Sequence, residues 1–372
     1  MIVGMPMRAS TSTKLLGLLA VVALANTGVR AQTVASALAN FQKDVGNYNV
    51  ISLSATGTTT IKTGSDVAGG IATQGNLTLG TGTLMNSSGF STGSNPAISV
   101  GGKLTLNGSA NMEYGNIYAR GSNLSYSTQN SGILSDSSGG GSINLPSGST
   151  DPLTNSAVNW TWSTVASDMK TDSTTLANAT ANGTTILAGT ISSDGQDLNF
   201  TTSGTPAAGS TVIFTLNAAD LNSSGNSYNG VGFNQIDFTV PTDVNYVIDV
   251  VGLSATNNTL FSGVNFNSPE SNNGSQVLWN IEGTTTVDIG SNGFDGAILA
   301  PSASITTSTA LLSGQIVSQT LTDTAQQEIH EENFNSFAAV AVPEPMTFAL
   351  WGVGLCGVGI LLRRRLTAAV IR

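Results

Sequence analysis

Gly296-Ala297-Ile298-Leu299-Ala300 and Gly314-Gln315-Ile316-Val317-Ser318 are one phrase written twice, 18 residues apart. Val277-Leu278-Trp279-Asn280-Ile281 stands a similar distance upstream. Such a return matches one coil of a three-faced β-helix with about six residues per face. Further outward the phrase recurs in Gly69-Gly70-Ile71-Ala72, in Gly75-Asn76-Leu77-Thr78-Leu79, in Gly101-Gly102-Lys103-Leu104-Thr105-Leu106 and in Gly115-Asn116-Ile117-Tyr118-Ala119. Alternating apolar and small polar residues mark half-buried strands, and the Gly and Asn between them mark tight turns. Short strands that cannot bury a face alone gain a core by stacking, so the repetition predicts a mainly β chain built as a β-solenoid. Because the repeat is imperfect, a β-sandwich stands as the alternative.

The middle of the chain reads differently. Residues Asn130 to Thr150 are rich in Ser and Gly and predict a loop. From Pro152 to Ala179, apolar Val158, Trp162, Val165, Ala166, Met169 and Leu176 fall at helical spacing, which predicts one inserted or flanking α-helix. Trp160 and Trp162 read as packing anchors. Beyond it, Val212 to Leu216, Gln235 to Val240 and Tyr246 to Val251 alternate as strands.

Both ends carry transport signals. Arg8 and Lys14 precede an apolar run, Leu15 to Ala25, of about 11 residues, too short to cross a bilayer. Val29 and Ala31 place small residues before Gln32, so residues 1–31 read as a signal peptide for the Sec translocon, cleaved after Ala31. At the other end Pro343-Glu344-Pro345 leads into an apolar segment, Met346 to Leu362, long enough for about 25 Å of helix, at the lower limit of a membrane span. Arg363, Arg364 and Arg365 follow it and hold that end in the cytoplasm, which leaves the body outside.

The order Pro-Glu-Pro, Gly-containing apolar helix, arginine cluster over residues 341–372 resembles the PEP-CTERM sorting signal of exopolysaccharide-producing Gram-negative bacteria. That resemblance implies exosortase as a processing partner at Pro343, Glu344 and Pro345, a transient inner-membrane anchor, and delivery to the outer surface or extracellular matrix. Without those three residues a plain tail anchor would fit the same physics. Residues 32–340 resemble the choice-of-anchor A domain, through Val45-Gly46-Asn47-Tyr48-Asn49-Val50, Val277-Leu278-Trp279-Asn280 and the two 18-residue phrases. It implies a secreted domain of unsettled molecular function. A fainter likeness, to ice-binding β-solenoids, rests on Gly296 to Ala300 and carries no ligand residues across.

Charge narrows the partners. The chain has 12 basic and 22 acidic residues, a net charge of −10, and only 9% of it is charged. Seven of the cations lie in the two ends, so the body keeps Lys43, Lys62, Lys103, Arg120 and Lys170. Phosphate binding needs clustered Lys and Arg, which argues against nucleic acid and leaves exopolysaccharide or the cell envelope as partner. Cys356, the one cysteine, sits in the tail, so the body has no disulfide and no thiolate metal site.

Catalytic signatures are missing from the sequence. His330 lies in Glu328-Ile329-His330-Glu331-Glu332 with no second histidine to complete a zinc helix, and a structural closing segment is the expected role. Calcium on Glu328, Glu331 or Glu332 is the alternative; no other cofactor is expected. Asp194 with Asp197, and Asp243 with Asp249, are expected near turns, where Asp serves local backbone hydrogen bonds. The chain therefore reads as a non-enzymatic surface, matrix or adhesion protein. A second reading is a ligand-binding solenoid: Thr58-Thr59-Thr60, Thr284-Thr285-Thr286 and Thr306-Thr307 could form a flat face for ice or crystalline polysaccharide. No Thr-x-Thr pattern recurs at a fixed coil spacing, and threonine is also a good strand residue.

Overall fold

The computed structural model describes residues 33–334, except 47, 63, 85–95, 129–131, 155–156, 159, 182–184, 203, 222–225, 239–240, 242, 268–273, 291, 309–310 and 331–332. The cleavage position Ala31, Pro343, Glu344, Pro345, the segment 346–362, Arg363, Arg364 and Arg365 lie outside them, as do Glu331 and Glu332.

The body is a β-solenoid with two helices on one face. Ten strands stack in parallel on that face. In spatial order they are Ile186–Ser193, Thr211–Asn217, Asn245–Val251, Val277–Ile281, Ala297–Ala300, Ile316–Ser318, Tyr48–Ser52, Gly70–Thr73, Ile98–Leu106 and Ile117–Arg120. Ile298 pairs with Ile316 in this sheet, as a solenoid requires and a sandwich with the two in different sheets does not. Chain order and spatial order differ. The first coil docks on the last, with Val50 beside Ile316, so the chain climbs from the middle to one end, crosses to the other and climbs back.

The crossing is made by α2, Trp162–Ala177, which packs on α1, Val34–Val45, and on the strands it spans. Its 16 residues reach about 24 Å, some five strand spacings. The helix is shorter than the span from Pro152 predicted, and α1 was not predicted at all. Its apolar Val34, Ala37, Leu38, Phe41 and Val45 follow helical spacing and are buried. Helices outside and coils inside bury both surfaces of the sheet, which is why Val277–Ile281 and Ala297–Ala300 are buried at every residue. Leu299 accordingly lies under the helices with Leu278 and Val317, whereas Ile298 and Ile316 fill the coil interior.

Stacking demands the glycines. A Cβ on Gly314 (φ +145°) would collide with the carbonyl oxygen of Gly296 one coil away, and Gly296 itself holds φ +108° against Trp279. Inside, Trp279 is fully buried among Phe200, Phe238, Phe261, Phe266 and Phe294, with ring centroids 5.0 to 6.1 Å away. The segment expected as a loop, Asn130 to Thr150, instead carries the strands Ile133–Asp136 and Gly141–Asn144. Leu134 and Ile143 anchor them in the core, and both were hidden by the Ser and Gly around them.

Candidate ligand-binding face

One face of the solenoid is covered by neither helix. Its strands, in spatial order, are Thr259–Leu260, Thr286–Ile289, Ser304–Thr307, Leu321–Asp323, Thr58–Ile61, Asn76–Leu79 and the second half of Ile98–Leu106. Most inward positions are apolar: Val287, Ile305, Leu321, Leu77 and Leu104 are all buried, with Thr59, Thr307 and Asp323 the buried polar residues among them. Outward positions form a column in strict register, Thr259, Asp288, Thr306, Thr322, Thr60, Thr78 and Thr105. Six of its seven members are threonine.

A second outward column runs alongside, two residues earlier in each strand: Thr286, Ser304, Thr320, Thr58, Asn76 and Lys103. Successive members are about 4.8 Å apart along a column, and the columns are about 6.6 Å apart along the strands. Hydrogen bonds tie the second column together. Thr320 Oγ1 donates to Ser304 Oγ at 2.9 Å, Asn76 Nδ2 to Thr58 Oγ1 at 3.4 Å, and the Lys103 amide to Asn76 Oδ1 at 2.8 Å. In the first column the hydroxyls of Thr60, Thr78, Thr105, Thr306 and Thr322 bond no other described residue and face solvent in part. Beta-branching stiffens each side chain, so methyl and hydroxyl groups stand in a fixed grid. Charge on this face is sparse: Asp288 lies near one end, its carboxyl pushed up by burial, Lys103 lies at the other, and exposed Lys62 stands two residues beyond Thr60, its Nζ donating to the Thr324 carbonyl at 2.6 Å.

The threonine runs named from the sequence are split by this geometry. Thr58 and Thr60 point outward, while Thr59 is buried, 2.5 Å from Ser52 Oγ and accepting from the Leu321 amide. Thr306 points outward and Thr307 inward. Of Thr284, Thr285 and Thr286, the last alone belongs to a ladder strand. Thr78, Thr105 and Thr322 were missed, although Leu77-Thr78-Leu79 and Leu104-Thr105-Leu106 show the signal: a lone threonine between two apolar residues. Thr58-Thr59-Thr60 and Thr320-Leu321-Thr322 do repeat Thr-x-Thr, but at no fixed spacing, because the coils are unequal. Matching positions return after 18, 27 or 16 residues, and the ladder joins segments 262 residues apart.

The other predicted residues lie elsewhere. Glu328 and His330 form an exposed pair, 2.9 Å apart, on a short strand that lies between Leu311–Ser313 and Asp66–Val67 in the third face. Among the described residues no group of three or more His, Cys, Asp or Glu could hold a metal ion, and no helix is long and apolar enough to cross a membrane. Asp194 does cap a turn, accepting from the amides of Gln196 at 3.0 Å and Asp197 at 2.8 Å. Asp249 does not. It sits mid-strand, 3% exposed, beneath α2.

Residues 41–331 match the family described as "Putative Ice-binding-like adhesive domain". The chain belongs to this family. Among solved structures the adhesive domain is similar to a glycosylated ice-binding protein from an Arctic yeast, at 12% identity over 81% of this chain and 95% of that one, with a TM-score of 0.34. It is similar too to an ice-binding protein from an Antarctic biological consortium, at 14% identity over 79% and 92%, with a TM-score of 0.28. A third is the DUF3494 domain of Shewanella frigidimarina ice-binding protein 1, at 12% identity over 77% and 93%, with a TM-score of 0.26. No curated protein matches the sequence.

Proposed function

We propose that this is an exported adhesive protein that holds an ordered, repeating surface, ice or a crystalline polysaccharide, on the face carrying Thr306, Thr322, Thr60, Thr78 and Thr105. The observation that supports it is the in-register column of threonines whose hydroxyls have no described protein partner. A rigid two-dimensional grid loses little freedom on binding, so many weak contacts to a periodic solid can add. Charge along the grid is sparse and of mixed sign, Asp288 against Lys62 and Lys103, which favours a neutral lattice of water or sugar hydroxyls over an ionic ligand. Binding, not catalysis, is the role assigned.

The ends supply the address. Residues 1–31 direct export through the Sec translocon, with cleavage after Ala31. Residues 32–340 form the adhesive body, in the manner of the choice-of-anchor A domain. Residues 341–372, with Pro343, Glu344 and Pro345 and the stop at Arg363, Arg364 and Arg365, act as a PEP-CTERM signal for exosortase, which places the body on the outer surface or in the exopolysaccharide matrix of a Gram-negative cell. Adhesive, ice-binding-like domains are typically extracellular or surface proteins, which agrees with that destination.

The test is to replace Thr60 and Thr322, neighbours at the ladder's centre, by Lys. Binding to ice, to insoluble crystalline glycan and to the producing cells' polysaccharide is then measured by co-sedimentation or incorporation. The expected result is retention of the wild type on at least one solid and its loss in the variant, at unchanged thermal stability. A wild type that binds none of them ends this reading.

A further inference from the structure

We propose that Lys103 and Arg120 bind the carboxylate of a uronic acid residue in a sparsely charged polysaccharide whose neutral sugars lie on the threonine face beside them. This deepens the function proposed above and rests on it, for it chooses a polysaccharide over ice. The second outward column does not stop at Lys103. Arg120 ends the last strand of the stack, Ile117–Arg120, and is the register partner of Lys103. The row Thr320, Thr58, Asn76 therefore runs into two cations on neighbouring strands, about 4.8 Å apart at the backbone. Both are exposed.

Among the described residues neither cation forms an ion pair or a side-chain hydrogen bond; Lys103 meets Asn76 through its backbone amide. The other cation on this face differs, since Lys62 Nζ donates to the Thr324 carbonyl. Asp151 precedes Pro152, whose carbonyl takes the Ala119 amide, yet its Oδ1 accepts from the Leu153 amide at 2.9 Å instead of meeting Arg120. Like charges set opposite each other on neighbouring strands cost stability. The body has five cations and places two of them in this position, and an anion between them removes the cost.

The geometry suits a carboxylate. The Arg120 guanidinium lies 5.4 Å from the centre of the Tyr118 ring. Such a contact holds a guanidinium by its flat face and leaves the N–H fork at its edge, the shape that takes a carboxylate bidentately. Lys103 adds a point charge beside it. The surroundings set the rest of the ligand. A net charge of −10 repels a densely charged polyanion, while the row of hydroxyl and amide groups leading to the pair offers hydrogen bonds to uncharged sugars. The ligand that satisfies both is a chain with an isolated carboxylate among neutral sugars. Ice supplies no counter-ion for the pair.

The experiment measures retention of the full-length chain, in mild detergent, on particles of gellan, whose repeat unit carries a single glucuronate among neutral sugars, and on carboxyl-reduced gellan. The Lys103→Gln, Arg120→Gln double variant is run beside the wild type. The expected result is wild-type retention about fivefold higher on gellan than on the reduced gel, as two exposed ion pairs allow, with the preference shrinking as salt is added. In the double variant the preference is expected to vanish at unchanged melting temperature, with retention on the reduced gel kept. Equal retention of the wild type on the two gels, retention on neither, or a preference that survives in the double variant overturns the proposal. So does inorganic phosphate displacing the wild type from gellan better than free glucuronate, which would put a phosphate group on the pair. Wild-type retention on a crystalline neutral glycan reads the threonine face alone, so a failure of the face and a failure of the pair are told apart.

Discussion

Asn280 donates a 2.8 Å hydrogen bond from Nδ2 to Oδ1 of Asp249, its register partner on the neighbouring strand, in a layer sealed by α2. Asn280 also reaches the helix, donating to the Ser173 carbonyl at 3.0 Å and accepting from Ser173 Oγ at 2.7 Å. Burial pushes the Asp249 carboxyl from 3.8 up to about 6, with the Asn280 bond opposing and Glu282 adding to the rise. Between about pH 4 and 6 the folded chain thus holds a proton that the unfolded chain has released. The stability due to that proton is complete below about pH 4 and is lost as pH rises through about 6. Asp249→Asn, which keeps an acceptor toward Asn280, is expected to remove this part of the slope. Melting temperatures of both proteins from pH 4 to 7 decide it: a wild-type curve falling no more steeply than the variant's counts against the assignment.

Ile298 and His330 are expected to differ by severalfold in their effect on the fold. Ile298 is fully buried between coils, and truncating such a side chain to Ala typically costs about 2–5 kcal/mol. His330 is exposed and, among the described residues, its side chain pairs with exposed Glu328 alone, so His330→Ala should stay within about 0.5 kcal/mol. Leu299→Ala should rival Ile298→Ala, though it empties the helix layer and not the coil. Chemical denaturation of the three variants measures the order, and a His330 variant as destabilised as Ile298→Ala would reverse the roles given to them.

The hydroxyl and the methyl of the ladder can be separated. Thr322→Val keeps the branched shape and removes the hydroxyl, whereas Thr322→Ser keeps the hydroxyl and removes the methyl. The Thr322 hydroxyl bonds no described neighbour, so both variants should keep the wild-type stability within about 0.5 kcal/mol. If the ligand is read by hydrogen bonds, Val lowers retention on the solid more than Ser. A change in stability beyond that bound would mean that Thr322 serves the fold.

Strand alternation and the glycine phrases made the solenoid legible, because they report contacts that every coil makes. Gly296 and Gly314 could be paired by eye since their coils have equal length. The ladder was not legible. Its partners Thr322 and Thr60 belong to opposite ends of the chain, and the unequal coils scramble the spacing of Thr60, Thr78 and Thr105. Asp249 misled for a related reason: aspartate is usual near turns, and only the tertiary fold shows a helix lying over a strand. The amphipathic stripe Val34, Ala37, Leu38, Phe41 and Val45 was present in the sequence and simply went unread.

Gln315 fastens the first coil to the last, and its loss should open the solenoid at that seam. Its Nε2 donates to the carbonyl oxygens of Gly46 at 2.6 Å and Tyr48 at 3.2 Å and to Asn333 Oδ1 at 3.1 Å, while its Oε1 accepts from the Phe334 amide at 3.0 Å. Asn49 adds bonds from Nδ2 to the carbonyls of His330 at 2.6 Å and Gly314 at 3.3 Å. Gln315 is 1% exposed, so its replacement by Ala strands several buried groups at once. A stranded buried group costs about 1–3 kcal/mol. Because each coil touches only its neighbours, that loss should fall on the Val50–Ile316 junction before it spreads. Amide exchange is therefore expected to quicken first in Tyr48–Ser52 and Ile316–Ser318, with Thr211–Asn217 protected until global unfolding. Uniform acceleration across all strands would show that the seam has no stability of its own, and an unchanged exchange pattern would show that Gln315 does not hold it.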